Sequence, residues 1–117
     1  MAEYNYVDLS YLESMSDGSK DIIVEMIDIF KSQVPEFIQN MNTFLENKDY
    51  ESLGKEAHKA KSSVAIMGMH EVVEELKNLE LNAKEGKSPE LYPEIVETFA
   101  TICQLALEEL DEILPTL

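Results

Sequence analysis

The chain of 117 residues has no arginine, no tryptophan and one cysteine. Its nine cations are all lysines and face 24 acidic side chains, for a formal net charge of −15 at pH 7. That balance repels phosphate backbones and anionic headgroups, so neither nucleic acid nor a membrane surface is expected as a partner. The single Cys103 has no internal disulfide partner and falls in an apolar stripe, so it is read as a small core hydrophobe. Four glycines and four prolines leave little room for the short-turn rhythm of an all-β fold. No apolar run approaches the roughly 20 residues of a membrane helix. The opening MAEYNYVDLS lacks the basic and apolar regions of a signal peptide, and a cytoplasmic location is expected.

What the chain does have is hydrophobic content, 44%, enough for one core and one domain over residues 1–117. The apolar positions recur at helical spacing almost throughout. A short first helix is expected from Asp8, which would cap it, with Leu9, Leu12 and Met15 on one side. Ile22, Ile23, Met26, Ile27 and Phe30 form a second stripe, expected to end or bend at Val34-Pro35. Pro35 would then open another helix carrying Phe37, Ile38, Met41, Phe44 and Leu45. Asp49 should cap a helix over about 49–68, with a core line of Leu53, Ala57, Ala60, Val64 and Met67. A further helix runs from about His70 to a stop at Gly86. Ser88-Pro89 reads as a cap and first-turn proline, with Pro93 as a second possible start for the last helix, which Pro115 closes. Short links between long amphipathic helices predict an all-α, up-and-down antiparallel four-helix bundle with a short additional N-terminal helix.

One residue stands apart from this pattern. In AHKAKSSVAIMG, residues 57–68, His58 lies roughly 130° around the helix from the centre of the core line. Its neighbours one turn away, Gly54 and Ser62, are small. A glycine inside a helix costs up to ~1 kcal/mol against alanine, and clearance for another protein approaching the imidazole would account for Gly54. Lys55, Lys59 and Lys61 gather within two turns of the ring. A phosphoryl group on the imidazole would be an anion, and Lys61 is placed to pair with it. A neutral imidazole is also a good nucleophile near neutral pH, with a reference pKa of about 6.5.

Other chemistry finds little support. There is no glycine-rich phosphate loop, so ATP-driven self-phosphorylation is not expected. Repeated Glu-x-x-His, as in di-iron bundles, is absent. His70 and Glu74 are too few for a metal site, and His70 is read as a surface or helix-start residue.

With Ala57-His58, Lys61, Ser62-Ser63 and Gly68, the sequence resembles the histidine-containing phosphotransfer (HPt) domains of bacterial multistep phosphorelays. DLSYLESMSDG, the Phe30 to Pro35 spacing, NKDYESLGKEAH and KNLE extend the resemblance over nearly the whole chain. It departs at Ser62, where many members have glycine. The resemblance implies that His58 takes a phosphoryl group from one receiver-domain aspartate and passes it to another. It implies Lys61 as phosphate-stabilising and Ser62 as a small or hydrogen-bonding neighbour. It further implies receiver domains of response regulators or hybrid sensor kinases as partners, no cofactor bound by this chain, and magnesium held by the receiver. The transfer needs positioning and charge neutralisation more than acid–base machinery.

A docking surface around His58 is expected from Gly54, Lys55, Ala65, Ile66 and Met69, with Phe37 and Met41 brought alongside by the preceding helix. An exposed nucleophile fits a monomer. The alternative is a helical binding protein that docks receivers or other partners without phosphotransfer.

Overall fold

Asp8 does not take the cap position of the first helix expected of it, which falls to Leu9. The Asp8 carboxylate accepts from the Ser10 amide at 2.9 Å and the Ser10 hydroxyl at 2.6 Å. The structure is a computed structural model describing residues 6–117, so the first five residues of the segment read for a signal peptide lie outside the described residues. Helix α1 is Ser10–Met15, α2 Lys20–Glu46, α3 Tyr50–Ile66, α4 His70–Glu85 and α5 Tyr92–Ile113. Single 3-10 turns follow at Pro89–Leu91 and Leu114–Thr116. The described residues contain no strand, and no helix among them is long and apolar enough to cross a membrane.

The two helices expected on either side of Pro35 are one. Proline removes an N–H donor and crowds the carbonyl four residues earlier, at a cost of about 3 kcal/mol in a helix interior. Here Pro35 is exposed, so its ring takes no room in the core. Phe30 and Val34 before it, and Phe37 and Met41 after it, are all buried in the same core. One unbroken apolar face outweighs the local penalty.

The helix ends otherwise follow local chemistry. Asp49 accepts from the Ser52 amide at 3.2 Å and caps α3. Gly86, at φ 69°, ends α4 in the left-handed region that glycine enters without strain. Ser88 does not cap α5 as expected: it makes no side-chain cap bond, and the helix begins at Tyr92 after the 3-10 turn. Tyr92 is buried, donates its hydroxyl to the Lys87 carbonyl and packs edge-on against Tyr50 at 5.1 Å between centroids. That contact ties the link before α5 to the start of α3.

Helices α2 and α4 each pack against both α3 and α5, enclosing the core. Leu53, Ala57, Ala60, Val64 and Met67 of the expected core line are all buried, as is Cys103. Of the apolar side expected for α1, Leu12 is buried, Leu9 half-buried and Met15 exposed. The segment before α1 is held by distant groups. The Tyr6 and Val7 amides donate to Glu109 Oε1 at 2.9 and 3.1 Å, and the Asp8 amide donates to the Met67 carbonyl at 2.9 Å.

Candidate functional site

Burying Leu53, Ala57, Ala60 and Val64 fixes the rotation of α3 about its axis, since apolar burial is worth about 1.5–3 kcal/mol for each large side chain. With that rotation set, His58 must face outward, and its side chain is 65% exposed. From α4, Glu80 reaches across to it. The imidazole Nδ1 lies 2.8 Å from Oε2 and 3.0 Å from Oε1 of the Glu80 carboxylate. The same two oxygens lie 3.5 and 3.4 Å from Lys61 Nζ. One carboxylate therefore bridges an imidazole and an ammonium.

The charge state of Glu80 follows from its surroundings. Burial pushes its carboxyl up, but the hydrogen bond from His58 and the charges of Lys61 and His58 outweigh that and hold it below the ordinary glutamate value. An ionised carboxylate can only accept, so Nδ1 carries the proton and donates it. A neutral ring then keeps its lone pair on Nε2, the nitrogen left for chemistry. Alongside lies a groove of about 530 Å³ lined by Gly54, Lys55, Ala83 and Lys84 among others.

The structure thus brings His58 and Lys61 together, through Glu80. Ser62 is exposed beside them, whereas the half-buried Ser63 donates to Gln33 Oε1 at 2.9 Å and ties α3 to α2. Lys55 is open to solvent, 3.7 Å from Glu51. Ala65 is exposed and Ile66 half-buried.

Four expectations need correction. Gly54 is buried, and a Cβ there would stand 3.3 Å from the Ala83 Cβ and 3.5 Å from the Glu80 carbonyl oxygen. It makes room for α4 rather than for an incoming protein. Met69 is 2% exposed, because α3 ends at Ile66 and the chain turns through Gly68 at φ 71°, so regular helical spacing no longer applies. Phe37 and Met41, 5% and 0% exposed, belong to the continuous core face of α2. None of these three can meet a partner at the surface.

Sequence reasoning missed Glu80. It closes the KNLE segment already noted, but in a chain with so many acidic side chains it looked like another solvated glutamate. Only the register of α4 against α3 separates it from Glu71 or Glu74. Glu56 was also missed: it is 6% exposed, accepts from Asn40 Nδ2 at 2.9 Å and lies 3.6 Å from Lys59. It pairs α2 with α3 two residues before His58.

A family model described as Hpt domain matches residues 25–116. No curated protein and no solved structure matches the chain.

Proposed function

The chain belongs to the Hpt domain family, and on that premise we propose that His58 is its phosphoacceptor. Hpt domains are phosphocarrier modules that serve histidine phosphotransfer in phosphorelay signalling and interact with receiver domains. The observation that carries the assignment is the pairing of an exposed imidazole with the Glu80 carboxylate at Nδ1, which leaves Nε2 as the nucleophile.

The step balances without an acid or base from this chain. The Nε2 lone pair attacks the phosphorus of an aspartyl phosphate on a receiver, and the P–O bond to the aspartate breaks. Its electron pair returns to the aspartate carboxylate. Because Nδ1 keeps its proton, the phosphorylated ring is formally an imidazolium, and the Glu80 carboxylate stabilises that charge. Lys61 can turn from Glu80 to the phosphoryl oxygens. Transfer to the second receiver reverses the sequence: its aspartate attacks phosphorus and the N–P pair returns to Nε2. The receiver docks over His58, Ser62, Lys55, Ala65 and the open edge of Ile66.

We take the carrier to be a single domain, an up-and-down antiparallel four-helix bundle with α1 added. The pairs Gln33–Ser63 and Asn40–Glu56 support opposite directions for α2 and α3, and Gly54–Ala83 with Lys61–Glu80 do so for α3 and α4. An exposed nucleophile needs no second copy, so we take it to act as a monomer. We take it to act in the cytoplasm.

Incubation with a phosphorylated receiver tests the assignment by intact mass. Wild type should gain one acid-labile phosphoryl group and hand it to a second receiver, ATP alone should add none, and His58→Gln should gain none. Receiver binding with no mass gain would mean docking without transfer and would overturn the assignment.

A further inference from the structure

We propose that Gly54 is a positioning residue for His58: by letting α4 approach α3 closely, it sets the distance at which Glu80 holds the imidazole. This rests on the reading of His58 as phosphoacceptor. Gly54 stands one turn before His58 on α3, where side chains four apart share a face. The atoms that a Cβ at residue 54 would meet are the Ala83 Cβ at 3.3 Å, the Glu80 carbonyl oxygen at 3.5 Å and the Lys84 amide nitrogen at 4.0 Å. Glu80 therefore faces α3 at two points. Its carbonyl oxygen lies 3.5 Å from where a Cβ at residue 54 would stand, and its carboxylate reaches Nδ1 of His58 at 2.8 and 3.0 Å.

Both points belong to one residue, so a shift of its backbone carries the base of the side chain with it. Carboxylate and backbone of a glutamate are joined by two methylenes, and the carboxylate also answers to Lys61. A methyl group at 54 would press on Ala83 at a separation tighter than ordinary contact, and the turn from Glu80 to Lys84 must give by a few tenths of an ångström. Close packing passes such a shift to its neighbours rather than absorbing it in empty space. The Nδ1 hydrogen bond is the nearest group to feel it. Once loosened, the proton redistributes over both nitrogens, and the fraction of rings with a lone pair on Nε2 falls.

The demand for a glycine here is not conformational. Gly54 lies within regular helix and is not among the positive-φ residues, and alanine is the better helix former. A purely structural view therefore expects Gly54→Ala to leave the site unchanged.

The test measures the tautomer and the transfer separately. Side-chain ¹⁵N shifts of His58, recorded on the free protein, report the protonated nitrogen. In Gly54→Ala the Nδ1–H population should fall, and single-turnover transfer from a phosphorylated receiver should slow by about two- to threefold with little change in receiver affinity. Ala83→Gly in the same chain removes the opposing methyl, and the double variant should recover both readouts. If Gly54→Ala does not fold, Ala83→Ser crowds the same contact from α4 and should shift the tautomer in the same direction. A folded Gly54→Ala with the wild-type tautomer, or a loss that the double variant does not recover, overturns the inference. If wild type accepts no phosphoryl group, the function assigned to His58 fails instead, and the tautomer measurement still decides the role of Gly54.

Discussion

Removing the carboxylate beneath the imidazole is the sharpest perturbation the site allows. In Glu80→Ala, His58 loses its Nδ1 acceptor and Lys61 loses its resting partner. Hydrogen bonds to charged groups contribute about 1.5–3 kcal/mol. Here the His58 side chain is 65% exposed and that of Glu80 25%, so water competes for the bond. A value near 1 kcal/mol is the appropriate scale, since exposed pairs fall at about 0.2–1 kcal/mol. As 1.4 kcal/mol is a factor of ten, transfer should slow by about fivefold. Glu80→Gln retains a carbonyl acceptor without the charge and should slow it by about twofold. Rapid-quench transfer at several receiver concentrations separates docking from the chemical step.

The pH dependence has a definite sign. The folded carboxyl of Glu80 is held below its ordinary 4.5, so the unfolded chain binds more protons in the window beneath that value. The contribution of Glu80 is fully present above 4.5 and is lost as pH falls through the lowered folded value. Transfer by Glu80→Ala at the wild-type rate, with an unchanged tautomer, would refute the reasoning.

Three further outcomes follow from packing and burial. Gly68→Ala should cost at least about 2 kcal/mol, as the left-handed region alone costs roughly 1–2 kcal/mol and the new Cβ would lie 2.2 Å from the Asp8 carbonyl oxygen. A thermal melt should show a fall of roughly 4 °C per kcal/mol for a domain of this size. Met41→Ala should cost about 2–5 kcal/mol in a urea melt yet leave the transfer rate of the folded protein intact; the reverse pattern would return Met41 to the docking surface. Burial, then the charge of Glu71, raise the Glu75 carboxyl above 4.5, and its buried Oε2 has no hydrogen-bond partner among the described residues. The folded state thus favours protonated Glu75: its contribution is full below 4.5 and is lost as pH rises through the raised value. Glu75→Leu should lack that decline in paired urea melts, and parallel wild-type and variant profiles would exclude the burial argument.

The amino-acid order by itself determined what depends on neighbours along the chain. The core line of α3 and the outward face of His58 follow from helical spacing, since residues a fixed number apart must share or oppose a face. Asp49 and Gly86 set their helix ends through bonds and dihedrals that span only a few residues. Tertiary structure decided the rest. Pro35 stays inside α2 because core burial on both sides outweighs a local penalty, and Met69 is covered because the chain turns before reaching it. Gly54 and Glu80 gain their meaning from the distance and register of a second helix. A one-dimensional pattern carries which face a residue occupies, but not which residue of another helix lies 3 Å away.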